Sequence, residues 1–282
     1  MRAYPHNPDV VTAFGASTYN YHRDASRISL SSRLRPVLTM RPGYLTFLDE
    51  HGSGLRHFSA DSHLTNWLKE KGFEFDVVTD EDLDDRGVDA LKHYDVVLTG
   101  SHPEYHTRRM LDALLAYRSA GGSLMYLGAN GFYWKIGPPA SFAVEYAWLF
   151  AEVKAGAGEP LGNFGLSGGG AAGFQIDRTA TDLGTPAYVT VVAYSDNHDA
   201  SFVTVPEELL FNRMVGKPRA HSGIRAHMIC GFGPSGGGLF AVGSISFLGS
   251  LYCAGYDNDV SQIVENCLRR FLAASHISLS CP

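Results

Sequence analysis

The stretch Asp95-Val96-Val97-Leu98-Thr99-Gly100-Ser101-His102-Pro103-Glu104-Tyr105 sets the frame for the whole chain. A short apolar run ends at a Gly, presents a His and a Glu, and then passes into a segment of helical spacing. That order suits a loop at the carboxyl end of a parallel strand. Ligands of open α/β sheets gather there, because the loops diverge and helix N-termini offer unsatisfied N–H groups. A His and a Glu two residues apart can act as base, acid or metal ligand. The structural alternative places Glu104 in the first helical turn, where it only complements the helix dipole.

On either side of this stretch, strand and helix patterns alternate. Tyr44-Leu45-Thr46-Phe47-Leu48 reads as a short strand, and residues 61–72 as a helix with Leu64, Trp67 and Leu68 at helical spacing and Gly72 just past its end. Phe75-Asp76-Val77-Val78 is the next strand, and residues 80–94 contain a helix with an acidic first turn. After the strand over 95–99 a helix is predicted over about 103–120, with Pro103 near its first position and Met110, Leu111, Leu114 and Leu115 as its apolar stripe. Ser123-Leu124-Met125-Tyr126-Leu127 follows as a strand and ends in Gly128-Ala129-Asn130-Gly131. The alternation predicts an α/β fold, a doubly wound and mostly parallel sheet with helices on both faces.

Beyond residue 135 the order is looser. Residues 135–175 hold a Gly-Pro-Pro turn, an aromatic stretch and the glycine-rich run over 162–173, which lacks the Gly-Lys-Ser/Thr ending of a phosphate loop and reads as a flexible loop. Residues 188–194 and 239–247 read as strands. Residues 258–272 form a final helix with Val260, Ile263, Val264, Cys267, Leu268 and Phe271 on its inner face. The expected organisation is an irregular segment over 1–42 that carries Tyr19, then one α/β domain over 43–282 with a glycine-rich insertion near 135–175.

With 282 residues, 45% of them hydrophobic and 18% charged, the chain can bury a sizeable core. A formal charge of -6 and the lack of basic blocks speak against nucleic-acid binding. The four cysteines form no CxxC pair, so neither a disulfide framework nor a zinc site is indicated. No apolar run approaches the roughly 18 residues that span a bilayer, and residues 1–20 lack the pattern of a secretory signal. A cytoplasmic location is the expectation.

If consecutive strands are neighbours, His102 and Glu104 converge with Asn130. Asn130 can polarise a carbonyl or hold a water; equally, it can serve only as a left-handed turn residue before Gly131. Two further polar sets could join such a site: Ser17-Thr18-Tyr19 with His22-Arg23-Asp24, and Asp61 with His63. Phenolate and carboxylate donors together suit a hard ferric ion.

Several motifs carry a family resemblance. They are Ala16-Ser17-Thr18-Tyr19, Ser31-Ser32-Arg33-Leu34-Arg35-Pro36, Met40-Arg41-Pro42 and the segment over 76–83. Thr99-Gly100-Ser101-His102-Pro103-Glu104-Tyr105, the segment over 126–134, the glycines and alanines of 168–173 and the segment over 255–261 extend the match. Together they resemble the C-terminal catalytic region of the N,N-dimethylformamidase large (beta) subunit, over about residues 14–272. The resemblance implies a sheet like that of class I glutamine amidotransferases (flavodoxin-like) and a mononuclear ferric iron held by two tyrosines and a glutamate. Tyr19 and Glu104 match metal ligands; His102 and Asn130 match neighbouring catalytic positions. The implied activity is hydrolysis of a small N-substituted amide, in an oligomer that includes a small subunit and an upstream-domain polypeptide. Iron so placed would polarise the amide carbonyl and lower the pKa of water. His102 is the local proton donor to the departing amine.

Three departures accompany the resemblance. The family's other tyrosine ligand lies upstream of the Ser-Thr-Tyr motif, and neither Tyr4 nor Tyr21 matches it. The family has a longer segment after Asn130-Gly131-Phe132-Tyr133-Trp134. Gln175 stands where an acidic residue is expected. These departures define the alternative reading, a catalytically degenerate binding or assembly module of the same fold, or a fragment or split subunit. A Cys- or Ser-dependent hydrolase lacks support, because Ser101 has no flanking glycine pattern of a nucleophile elbow.

Overall fold

The computed structural model describes residues 24, 40, 41, 44, 57–131, 144–156, 159–165, 169–173, 175–180, 184–196, 198 and 224–278. The chain divides into two units, Met1–Thr39 and Met40–Pro282, and every helix and strand below belongs to the second. Tyr19 and the strand expected over 44–48, apart from residue 44, lie outside the described residues.

Helix α1 runs over His57–Glu70 rather than 61–72; it buries the expected stripe of Leu64, Trp67 and Leu68 together with Ala60, and Gly72 follows with φ +75°. Helix α2, Asp80–Arg86, opens on Thr79, whose hydroxyl accepts from the Asp82 N–H while the Asp82 carboxylate accepts from the Thr79 N–H. A short 3-10 turn, Gly87–Ala90, leads to strand β1, Val96–Leu98. Helix α3 is Arg108–Ser119 and strand β2 is Ser123–Tyr126. Three more strands follow: β3 Val189–Ser195, β4 Ala226–Phe232 and β5 Gly238–Ala241. Helices α4, Phe247–Leu251, and α5, Asp259–Ser278, close the order.

The sheet runs β1-β2-β5-β4-β3. The pairs β1–β2 and β2–β5 are parallel, whereas β5–β4 and β4–β3 are antiparallel, so the sheet is mixed. Helices cover both faces of its parallel part. Val96 and Leu98 of β1 pack against a core built from α1, α4, α5, Met125, Leu127 and Phe240; Val97 packs against a second core of Leu83, Leu91, Met110, Ala113, Leu114 and Tyr117. Alternation along one strand thus serves two hydrophobic layers.

Several expectations shift. Residues 75–78 form no strand ladder among the described residues. Phe75 and Val77 are 41% and 72% exposed, not buried on two faces as a parallel strand requires. Helix α3 starts not at Pro103 but at Arg108, because Thr107 caps it: its Oγ1 accepts from the Met110 N–H at 3.2 Å. Its inner stripe is Met110, Ala113, Leu114 and Tyr117, while Leu111 and Leu115 face outward. Residues 239–247 are not one strand; β5 ends at Ala241 and Phe247 begins α4. The six inner-face residues named for the last helix are all buried.

Candidate active site

The parallel pairing of β1 with β2 brings their carboxyl ends side by side. Residues 99–107 leave β1 as an irregular loop, and residues 127–131 leave β2. The two loops cross so closely that no side chain fits at Gly128: a Cβ there would lie 2.1 Å from the Ser101 carbonyl oxygen. Asp61 of α1 anchors the first loop from the other side, its Oδ1 accepting the Ser101 N–H at 2.7 Å. Burial raises the Asp61 carboxyl above its ordinary range, and the bonds from Ser101 oppose that rise.

Glu104 stands in this loop, ahead of the Thr107 cap, so it is no first-turn residue of α3 and the dipole reading does not apply. Its Oε2 lies 3.3 Å from His102 Nε2. Asn130 Nδ2 lies 2.9 Å from the same Nε2, and His57 Nε2 lies 2.8 Å from His102 Nδ1. The His57 and His102 rings are within 4° of parallel. His102, Glu104 and Asn130 therefore meet, drawn from two adjacent strand ends.

The contacts at His102 Nε2 ask for opposite roles. Toward the Asn130 amide nitrogen it must be bare and accept; toward the Glu104 carboxylate it must carry a proton and donate. With Nε2 bare, the proton sits on Nδ1 and faces His57. With Nε2 protonated, the Asn130 amide turns its oxygen inward. A ring with two self-consistent proton positions, one facing a carboxylate, is equipped to take up and hand on a proton.

Asn130 takes the turn role that the sequence left open, and its side chain adds a contact with His102. Its φ is +51°, the left-handed turn conformation, and its side chain simultaneously reaches His102. The turn is fastened from below. Asp177 Oδ2 accepts the Asn130 N–H at 3.0 Å and the Tyr126 O–H at 3.1 Å, and the Tyr126 oxygen accepts the Gly131 N–H at 2.7 Å. Burial pushes both the Asp177 carboxyl and the Tyr126 phenol upward; the phenol is raised further by the Asp177 charge. Asp177 arrives on a segment laid past the end of β5: its N–H donates to the Gly243 carbonyl at 3.0 Å, and Ile176 bridges Ser244.

Three participants escaped the sequence reading: His57, Tyr126 and Asp177. His57 opens a helix and so belongs to no periodic stripe. Tyr126 looked like an ordinary strand residue. Asp177 was visible only as the neighbour of Gln175, although residues two apart in an extended segment share a face. Gln175 itself has a buried Oε1 with no hydrogen-bond partner among the described residues. His63 does not join the site in any described contact; it packs on the ring of Tyr252.

Glu104, with its side chain 28% exposed, offers an accessible anionic oxygen donor of the kind a hard cation takes. Among the described residues no three His, Cys, Asp or Glu side chains gather as a metal group. Tyr19 lies outside the described residues.

Comparison with known proteins meets the site at this point. Residues 2–141 match the family model described as N,N-dimethylformamidase beta subunit-like, C-terminal. Two curated proteins, the N,N-dimethylformamidase beta subunits of Paracoccus aminophilus and of an Alcaligenes species, are each 32% identical over 325 residues, covering 92% of this chain. The chain is a relative of the N,N-dimethylformamidase beta subunit. It spans 42% of the length of those two subunits. The aligned stretch is longer than this chain, so the dimethylformamidase subunits carry additional residues within it. Among the described residues no helix is long and apolar enough to cross a membrane.

Proposed function

We propose that this chain supplies the catalytic region of an iron-dependent amidohydrolase of the N,N-dimethylformamidase type, acting on a small N-substituted amide within a multi-subunit assembly. The observation that carries this reading is the meeting of Glu104, His102 and Asn130 at two neighbouring strand ends. The names of the relatives support the substrate class, and their designation as beta subunits supports the assembly. Helices on both faces of the parallel trio β1–β2–β5 support the doubly wound, amidotransferase-like class as part of the same proposal.

Glu104 and Tyr19 would hold the iron, which when bound polarises an amide carbonyl and makes water more acidic. The protein's own share is proton management. An amide releases its amine only when the nitrogen is protonated, because the amide anion is a very poor leaving group. His102, bare at Nε2, takes a proton from the attacking water and returns it to that nitrogen. Glu104 stabilises the ring while it is charged, and Asn130 orients Nε2.

The test is paired. Purified with its partner subunits, the protein is expected to contain iron, to show phenolate-to-iron charge-transfer absorption, and to release amine from N,N-dimethylformamide. Glu104→Gln should lose most of the iron. His102→Ala should retain it yet lose amine release by about 100-fold or more. A wild-type preparation without iron and without turnover overturns the reading.

Gln175 favours a second one. A buried amide oxygen without a partner, at a position where the resemblance places an acid, is what a binding module of the same fold would keep after losing part of its acid–base set. Iron bound without turnover of any small amide would select that reading.

A further inference from the structure

The sheet edge that carries the His102 loop holds a second cluster, two strands along from Asn130. Strand β4 runs antiparallel to β5, so its first residues stand at the same edge as the ends of β1 and β2. Met125 and Met228 face the larger core, so their neighbours Tyr126 and His227 project together from the opposite face. Tyr194 is the ladder partner of His227 and shares that face, with the Arg225 guanidinium 5.8 Å from its ring centre. The segment after Ile176 meets His227 from the other side. The Asp177 carbonyl accepts the His227 N–H at 3.0 Å, and His227 Nδ1 accepts the Thr179 N–H at 3.1 Å. Arg178 lies between these two contacts. Asp177 thus touches both groups, Asn130 through its carboxylate and His227 through its backbone.

The cluster is cationic and unmatched. A backbone N–H can only donate, so His227 Nδ1 is bare and the neutral ring carries its proton on Nε2, a donor with no partner among the described residues. Burial, and then the charges of Arg225 and Arg178, hold the ring below its ordinary pKa, so it stays neutral at pH 7. Both arginines are exposed, and among the described residues no carboxylate pairs with either guanidinium. The neighbouring Asp177 carboxylate is turned instead to Asn130 and Tyr126. Two guanidinium forks beside an imidazole N–H offer charge and several donors to a planar anion with two acceptor oxygens.

Resting on the amidohydrolase reading, we propose that Arg178, Arg225 and His227 form a specificity subsite for a carboxylate borne by the amide substrate. Two strand spacings, about 10 Å, separate the lines of β2 and β4. An amide held at His102 and Glu104 spans most of that distance when about five methylenes separate its nitrogen from the carboxylate. N,N-dimethylformamide has no group to place there. The cluster directs this chain to acidic amides.

The test compares 6-formamidohexanoate with N-hexylformamide, in which a methyl group replaces the carboxylate. Formate release by the protein purified with its partner subunits should show a kcat/KM about 10- to 100-fold higher for the acid, the range of a hydrogen bond to a charged group. The double variant Arg178→Gln, Arg225→Gln should bring that ratio to within about twofold. Binding of the same two compounds to the full chain, read by calorimetry, should show the same preference and the same loss. Equal kcat/KM for the two formamides in an active wild type overturns the subsite, as does a preference that survives in the folded double variant. Inorganic phosphate that binds through both arginines, while the two formamides bind alike, assigns the cluster to a free anion and overturns it too. An inactive wild type that still prefers the acid in binding, through the two arginines, counts against the amidohydrolase reading while supporting the subsite, so the two failures are distinguishable.

Discussion

His63 packs on the ring of Tyr252 with centroids 4.9 Å apart, and neither ring nitrogen has a hydrogen-bond partner among the described residues. Burial favours the neutral ring and holds its pKa below the ordinary 6.5. The unfolded chain therefore takes up a proton at a higher pH than the folded one. Stability from this position is complete above about pH 6.5 and is lost as the pH falls through the lowered folded value. His63→Phe keeps the ring contact and removes both the orphan nitrogens and the titration. It should raise the melting temperature at pH 7 by roughly 2–4 °C for each kcal/mol relieved. It should also flatten the decline between about pH 7 and 5. Melting curves with equal slopes for the two proteins would show that the site does not titrate in this way. From sequence, Asp61 and His63 were one polar set that could join the site. Residues two apart on a helix do not share a face, and the structure sends them to different neighbours.

At the scale of elements, the misplaced start of α3 and its correction share one cause. Pro103 is suited to a first helical turn, but Thr107 offers a hydroxyl to the free N–H groups and decides where the helix begins. The usual Glu or Gln three residues after such a cap is replaced by Met110, so the signature was not legible. That late start is what leaves His102 and Glu104 on a loop. Strand β4 was missed for a related reason. Ala226-His227-Met228-Ile229-Cys230-Gly231-Phe232 has few β-branched residues, and its strand character comes from ladders with β3 and β5 on either side. The loop crossing yields a graded prediction. Gly128→Ala sets a Cβ 2.1 Å from a backbone oxygen, whereas Gly100→Ala meets the Asp61 carboxyl group at 2.6 Å, a side chain that can swing aside. Thermal or urea unfolding should show Gly128→Ala the more destabilising, by about 1–3 kcal/mol or more. Equal losses would mean that the two loops separate readily and do not fix the site.

For the molecule as a whole, strand β1 packs against two cores. The larger lies among α1, α4 and α5, where the Trp67 indole N–H donates to Ser261 Oγ at 2.8 Å across a fully buried space. The smaller lies between α2 and α3. The larger was largely legible: the stripes of the first and last helices follow a 3.6-residue period that burial alone imposes. The bonds that fasten the Asn130 turn were not, because they join residues 126, 130 and 177 through an order of strands in which β5, late in the chain, lies beside β2. β1 faces both cores, with Val96 and Leu98 to one side and Val97 to the other, and it also carries the His102 loop. A strand committed to both layers cannot leave one while the other stays packed, so the two should melt together. Phe271→Ala in the larger core and Leu114→Ala in the smaller should each cost about 2–5 kcal/mol. Each should displace the same transition whether it is followed by tryptophan fluorescence in a Trp134→Phe, Trp148→Phe background, which leaves Trp67 as the reporter, or by hydrogen exchange of the α3 amides. If Leu114→Ala released the α3 amides at a denaturant concentration that left the Trp67 signal native, the cores would be independent, and the His102 loop would be tied to only one of them.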